Sequence, residues 1–281
     1  MNNEVKNFSF QGINGAYSEL AGSKVFQSAQ SVSCKTFEDM FESVKNNETE
    51  CAMVPIENSS SGRVADTQRL IPNSNLNIIG EYFLNIDHCL LAPKGASINS
   101  LKRVRSHEQA LAQCRKNLLT KNLSLFVVAD TAGAAKEVAE INDKEEGAIA
   151  SSLAAEIYSL DILENNIQDV KRNITRFLIM GKKSPSIDPD EEGIITTILF
   201  QVRSIPAALY KSLGGFATNG VNITKLESYI HPQGFDVAQF YIDFEGHPEN
   251  AKVKLAIEDL KFYSKNLKIL GVYKGAEFRK K

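Results

Sequence analysis

The chain has 281 residues, enough for roughly two domains with separate cores. Hydrophobic residues make up 43% and charged residues 23%, the balance of a soluble globular protein, and a net charge of −2 gives no general pull toward nucleic acid or an anionic membrane. The four cysteines, at 34, 51, 89 and 114, form no C-x-x-C pair and have no histidine at metal spacing. Reduced thiols are expected, with Cys34, Cys51 and Cys89 buried in apolar, strand-like company. Met1–Phe10 lacks the apolar core of a signal peptide and no uncharged run is long enough for a membrane span, so a cytoplasmic protein with no membrane partner is expected.

Strand and helix patterns alternate from the start. Phe8-Ser9-Phe10 leads through Gly12-Ile13-Asn14-Gly15 into a helix from about Ala16 to Phe26, and Val32–Lys35 leads into a helix near Thr36–Lys45. Cys51–Ile56 is an apolar strand that runs out into Glu57-Asn58-Ser59-Ser60-Ser61-Gly62 before a short helix around Val64–Leu70. This rhythm predicts a sheet with parallel strands, whose ligands gather at the carboxyl ends of the strands. An extended stretch, Leu76–Leu91, carries the chain into a second series: Arg103–Arg105, Ser124–Ala129 and Ala148–Ala150, each followed by a helix. The chain returns near Val170 through the strand Asn173–Met180. Two α/β lobes joined by crossover strands leave a cleft for a small ligand. Gly181–Glu192 is polar, holds two prolines and reads as a linker. Beyond it come strand Ile194–Val202, helix Pro206–Thr218, strands Asn222–His231 and Val237–Phe244, helix Pro248–Tyr263 and strand Leu267–Tyr273. That βαββαβ order predicts a ferredoxin-like unit.

Within Asn173–Met180, alternation sets Thr175 and Phe177 on one face and Ile174 and Arg176 on the other. The polar cluster after Ile56 exceeds what one helix cap requires, and free amides at a helix entry suit a carboxylate ligand. Ser106 and Gln109 have capping-box spacing. Gln113 lies on the same helical face as Gln109, is not explained by capping, and is expected to face a ligand. His107 reads as a surface or structural histidine. Asp130-Thr131-Ala132-Gly133-Ala134-Ala135 is a further helix entry, with small residues that allow close backbone approach. The sequence has no P-loop, no dinucleotide fingerprint, no His/Cys metal cluster and no Gly-x-Ser-x-Gly elbow, so neither metal nor cofactor is expected.

Five blocks in one order resemble the prephenate dehydratases of phenylalanine biosynthesis over essentially the whole length. They are Gly12-x-x-Gly-x-Tyr-Ser-Glu19, Val54-Pro-Ile-Glu-Asn-Ser59, Ser106-His-x-Gln-Ala-Leu-Ala-Gln113, Asp130-Thr-Ala-Gly-Ala-Ala135 and Asn173-x-Thr-Arg-Phe177. The carboxyl-terminal unit resembles an ACT regulatory domain through Gly220-Val-Asn-Ile-Thr224 and Glu227-Ser228. The resemblance implies a catalytic region at 1–181 with a periplasmic-binding-protein-like two-lobed shape. Lobe one covers about 1–75 and 170–181, and lobe two about 76–169. A linker at 182–193 and an ACT domain at 194–275 follow, in a homodimer or homotetramer. It also implies that Thr175 is the principal catalytic residue, with Gln113, Asn58, Ser106 and Glu57 in the site or supporting it. Ser59, Gly62, Thr131, Ala132, Arg176 and Phe177 are the implied substrate-binding residues. L-phenylalanine is the implied effector, near Pro206, Ala207, Ala208, Leu209, Asn222, Glu227 and Ser228. The sequence departs from the family pattern at Glu108 (usually Pro), at Ala207-Ala208-Leu209 (usually Gly-Ala-Leu) and at Tyr229-Ile230 (usually Arg-Pro). Phenylalanine binding is expected to be retained but altered.

The family's reaction expels CO2 and a ring hydroxyl together, driven by aromatisation, and needs no metal, nicotinamide or covalent intermediate. Thr175 would place a proton on the departing oxygen. Arg176 and the helix-entry amides from Ser59 to Gly62 suit carboxylate binding. Alternation points Arg176 away from Thr175, so either the strand has opened there or Arg176 is structural. The alternatives are an arogenate dehydratase, which performs the same chemistry on the amino analogue, and a non-catalytic amino-acid or keto-acid binding sensor.

Overall fold

The computed structural model describes residues 5–231 and 234–280; the side chains of Tyr229 and Ile230, and so that departure, lie outside the described residues. In chain order come β1 (Asn7–Gln11), α1 (Tyr17–Val25), β2 (Gln30–Cys34), α2 (Phe37–Lys45), β3 (Cys51–Asn58), β4 (Gly62–Arg63), α3 (Ala65–Leu70) and β5 (Asn77–Asn85). Then follow β6 (Cys89–Ala92), β7 (Arg103–Ser106), α4 (Glu108–Gln113), α5 (Arg115–Leu119), β8 (Ser124–Val127), α6 (Thr131–Ile141), β9 (Glu146–Ala150), α7 (Ser152–Ile157), β10 (Asp161–Glu164) and β11 (Ile174–Gly181). The rest is β12 (Ile194–Val202), α8 (Ala208–Thr218), β13 (Ile223–His231), β14 (Gly234–Glu245), α9 (Ala251–Tyr263) and β15 (Ser264–Lys274).

The chain forms two compact units. One runs through Leu70 and resumes over Tyr82–Phe177; the other joins Ile71–Glu81 to the chain from Leu178 onward. In the first, β2-β1-β3-β11-β5 lie side by side, with β1 parallel to both β2 and β3. Phe8, Phe10, Ala52, Met53, Val54 and Ile56 are fully buried, as expected of strands covered on both faces. A second sheet, β10-β6-β9-β7-β8, has β7 parallel to β8 and β9, with β6 and β10 antiparallel. The expected two-lobed α/β region is this pair of sheets. The segments 86–88 and 165–173 pass between them, and the Ile86 amide donates to the Asn173 carbonyl at 2.6 Å.

The second unit is the expected ferredoxin-like βαββαβ fold, with strand order β13-β14-β12-β15 and every neighbouring pair antiparallel. Its core is Ile198, Phe200, Phe216, Phe240, Ile242 and Phe244 from the sheet and α8, closed by Val253, Ala256, Ile257 and Leu260 of α9. The division between units falls inside β5 and β11, not in the polar linker. Ile78 pairs in parallel with Gly271 of β15, which assigns the first half of β5 to this unit. A methyl on Gly271 would overlap the Ile78 carbonyl oxygen, so this strand contact requires glycine.

Candidate active site

Asn58 ends β3 beside the opening of β11, and its orientation is fixed by backbone. The amides of Ser60 and Ser61 both donate to Asn58 Oδ1 at 2.9 Å, which makes that atom the oxygen. Asn58 Nδ2 then donates to Asn173 Oδ1 at 2.8 Å and to Thr175 Oγ1 at 2.9 Å. The Thr175 hydroxyl is therefore an acceptor toward Asn58, and among the described residues its own hydrogen has no acceptor. Asn173, nearly fully buried, donates from Nδ2 to Gln113 Oε1 at 3.0 Å. Gln113 Oε1 also lies 2.8 Å from His88 Nε2, and His88 Nδ1 lies 2.8 Å from the Tyr17 hydroxyl. Burial lowers the His88 pKa below its ordinary 6.5, against the Gln113 bond and the Asp87 charge, which raise it. Burial likewise pushes the Tyr17 phenol well above 10.0. The cluster is thus uncharged, and its members come from the segments 86–88 and 165–173, from β3, β11 and α1, and from the end of α4.

Glu57 and Arg176 stand on the other side of the same two strands. Arg176 Nη1 lies 3.2 Å from Glu57 Oε1, the guanidinium sits 5.9 Å from the Phe83 ring centre, and the arginine side chain is only 2% exposed. Neighbours in a strand point to opposite faces, so this ion pair lies across the sheet from Asn58 and Thr175. Ser59 joins the two strand ends: its amide donates to the Ile174 carbonyl, its Oγ accepts from the Ile174 amide at 2.9 Å, and that hydroxyl donates to the Arg172 carbonyl.

The capping box expected at Ser106 does not form. Ser106 is still paired in β7, and its buried hydroxyl donates to the Ile149 carbonyl of β9 at 2.6 Å. His107 caps α4 instead, its Nδ1 accepting from the Gln109 amide. Thr131 and Ala132 open α6, capped by Asp130 through the Gly133 amide at 2.6 Å, and Ala132 is fully buried. Gly62 is exposed in β4, and Phe177 is a core residue of β11. No hydrogen bond or ion pair found among the described residues links Thr131, Ala132, Gly62 or Phe177 to the Asn58–Thr175 cluster.

The Gly12–Glu19 block builds the approach to Tyr17. Gly15 has φ +94°, its amide donates to Glu19 at 2.6 Å, and a side chain there would come within 2.8 Å of Ala154. Ser151 Oγ donates to the Gly15 carbonyl, so this turn is tied to the entry of α7. Sequence reasoning passed over Tyr17 and His88. The available signals were the tyrosine's place in that block and the polar Asp87-His88 break in an otherwise apolar run. All four cysteines are buried, and burial raises the thiol pKa to about 12 at Cys51 and Cys114 and about 11 at Cys89. Among the described residues, no cluster of three or more His, Cys, Asp or Glu is placed to hold a metal ion, and no helix is long and apolar enough to cross a membrane.

In the second unit Ala207 caps α8 with φ 58° and ψ 27°, the left-handed backbone. Pro206, Ala208 and Leu209 flank it, Asn222 precedes β13, and Glu227 and Ser228 lie within β13, where Glu227 pairs with Lys225 at 2.9 Å. A cavity of about 480 Å³ lies at the opposite end of α8, beside Asp190, Asn222, Lys252 and Arg279. Of the regulatory candidates it touches Asn222 alone.

These features define an α/β enzyme with an uncharged hydrogen-bonded site and an attached ferredoxin-like unit. The chain belongs to the prephenate dehydratase family, which matches residues 8–185. It is 43% identical over 272 residues to a bifunctional N-acyl-homoserine lactone acylase/prephenate dehydratase of Komagataeibacter europaeus, covering 97% of each chain. It is 39% identical to arogenate dehydratase 2 of Petunia hybrida, covering 94% of this chain and 70% of that one. It also superposes on a prephenate dehydratase of Arthrobacter aurescens solved with L-Phe (30% identity, TM-score 0.85, 95% and 89% of the two chains). The chain is accordingly a lyase acting as a prephenate dehydratase, with arogenate dehydratase as the alternative.

Proposed function

We propose that Thr175 delivers the proton that turns the departing ring hydroxyl of prephenate into water. The reaction is prephenate dianion plus one proton, which passes through the Thr175 hydroxyl and is replaced there from solvent, giving phenylpyruvate anion, CO2 and water. The carboxylate's C–C bond breaks, its electron pair enters the ring, and the ring C–O bond breaks as the oxygen takes the proton. The observation that supports this role is the direction of the Asn58 bond: with Nδ2 donating to Thr175 Oγ1, the threonine hydrogen remains to be given. A threonine hydroxyl is a weak acid, so hydrogen bonding to the developing hydroxide and its fixed position carry the larger share. Among the described residues, Gln113 Nε2 is a second donor with no acceptor. Arg176 and Glu57 support the sheet from its other face, and Ser106 and Ser59 hold backbone. The α6 entry at Thr131–Ala132 supplies amides for a substrate carboxylate, whereas the amides expected for this role at Ser59, Ser60 and Ser61 are already given to the Ile174 carbonyl and to Asn58 Oδ1.

The same reading assigns catalysis to residues 1–181, a linker to 182–193 and an ACT domain to 194–275, in a homodimer or homotetramer. L-phenylalanine, bound by the Arthrobacter relative, is the proposed effector, at the α8 entry and β13. The acylase activity named for the Komagataeibacter relative would require an activated nucleophile or water. Thr175 accepts from Asn58 and has no base bonded to it among the described residues, which favours proton donation over attack. The test is incubation of purified protein with prephenate, arogenate and an N-acyl-homoserine lactone in parallel, with and without chelator. Phenylpyruvate formed regardless of chelator supports the proposal; a folded protein inert toward prephenate and arogenate overturns it.

A further inference from the structure

His88 and Tyr17 have no part in the chemistry described so far, yet they continue the hydrogen-bond chain that ends on Thr175. The direction of every bond in that chain follows from one end. Backbone amides can only donate, so Asn58 Oδ1 is the oxygen facing Ser60 and Ser61, and its nitrogen faces Asn173 and Thr175. Asn173 Oδ1 accepts there, so its nitrogen donates to Gln113 Oε1. Gln113 Oε1 faces His88 Nε2 at 2.8 Å, and this contact requires the hydrogen on Nε2. Nδ1 is then an acceptor, and the Tyr17 hydroxyl donates to it at 2.8 Å, with the Asp87 carbonyl as its second acceptor at 3.2 Å.

The two amides in the middle are the weak point. Rotating the carboxamide of Gln113 by half a turn exchanges donor and acceptor with almost no change in shape. Such a turn would set the Gln113 NH2 against the Asn173 NH2 and aim an oxygen outward. The backbone of residues 60–61 fixes Asn58, but among the described residues only Asn173 and His88 hold the Gln113 side chain. His88 itself is held on three sides: its amide donates to Gln168 Oε1, its carbonyl accepts from the Ile167 amide, and its ring meets Tyr17 edge-on at 5.5 Å.

We propose that His88, kept as the Nε2–H tautomer by Tyr17, is a positioning residue that locks the Gln113 carboxamide with its NH2 outward, as a donor to the substrate. The proposal rests on the dehydratase reading and extends it to two residues that touch no substrate. It also explains why Tyr17 belongs to a block otherwise occupied by turn and cap residues.

The test uses the full chain. His88→Leu lowers kcat/KM by up to about 10²-fold, the scale of a misaligned catalytic group. His88→Gln, whose amide nitrogen reaches the Nε2 position, recovers at least tenfold of that loss. His88→Asn, whose amide reaches only the Nδ1 position, does not. Gln113→Glu keeps the inward oxygen that accepts from both Asn173 and His88 but replaces the outward donor, so adding His88→Leu to it costs little more. Nitrogen NMR of histidine-labelled protein, assigned by the His88→Gln spectrum, shows the hydrogen on Nε2 and an unprotonated Nδ1, with tautomer mixing in Tyr17→Phe. Equal activity of the Gln and Asn variants, additive losses in the double variant, or a hydrogen on Nδ1 of the parent would each overturn the proposal. A parent inert toward both substrates would instead overturn the dehydratase reading, while the NMR result still judges the tautomer.

Discussion

Asn58→Asp is nearly isosteric and asks one question of the site: which way the Thr175 hydrogen points. The carboxylate oxygen facing Ser60 and Ser61 still accepts their amides, so the turn after β3 is kept. The other oxygen replaces a nitrogen that gave its two hydrogens to Asn173 and Thr175, at 2.8 and 2.9 Å. A carboxylate has none to give. Thr175 then turns its hydrogen inward to the new carboxylate, and the Asn173 oxygen faces another acceptor unless its amide turns over and abandons Gln113. Loss of one well-placed donor at a developing oxyanion costs about 10²–10³-fold in kcat. The buried acceptor left unpaired costs about 1–3 kcal/mol of stability. Steady-state kinetics with prephenate and urea denaturation of the same preparation measure the two effects. The added charge beside a dianion raises KM separately, so kcat is the decisive quantity. A folded variant with kcat within threefold of the parent would refute the argued direction of the hydrogen bond.

Thr175→Ala is expected to lower kcat by about 10²–10⁴-fold with little change in substrate binding, and Thr175→Ser to retain more activity, by the same kinetic assay. Ala207→Gly relieves a left-handed alanine, worth about 1–2 kcal/mol, against about 0.5–1 kcal/mol of extra chain entropy, so thermal unfolding should show stability unchanged or raised by up to about 1.5 kcal/mol. Titrating L-phenylalanine into the parent and this variant, with activity and melting temperature as readouts, tests whether that turn belongs to an effector site. The lowered His88 pKa means that the unfolded chain binds its proton more readily than the folded one. The stability due to neutral His88 is therefore complete above about pH 6.5 and declines as the pH falls below it. Urea midpoints at pH 8 and pH 5.5 should diverge more in the parent than in His88→Gln.

Strand alternation and motif position made part of the site readable before any coordinates. Alternation alone separated Thr175 from Arg176, and the Asn58–Thr175 bond and the Glu57–Arg176 pair follow that separation onto the two faces. Tyr17 and His88 were not readable, because periodicity reports which face a residue shares with its near neighbours. Their partners stand 71 and 25 residues away, across a crossover. The cap of α4 falls on His107 although only Ser106 has capping-box spacing to Gln109, because the Ser106 hydroxyl is taken by the Ile149 carbonyl of β9 and Ser106 is still strand. The linker composition marked where the chain is polar, but not which strands pair. The Gly271–Ile78 contact therefore drew Ile71–Glu81 into the second unit unannounced.

That contact also sets an order of events during synthesis. Ile78 emerges early, but its partner Gly271 is made roughly 190 residues later, about 10–40 s at ordinary ribosomal rates. Until then the outer side of the first half of β5 has no strand beside it, and an unpaired strand edge invites pairing with other chains. A stop at Lys183 makes that wait permanent. Such a fragment is expected to be recovered in soluble form more poorly than the full chain, even with every member of the Tyr17–Thr175 cluster present.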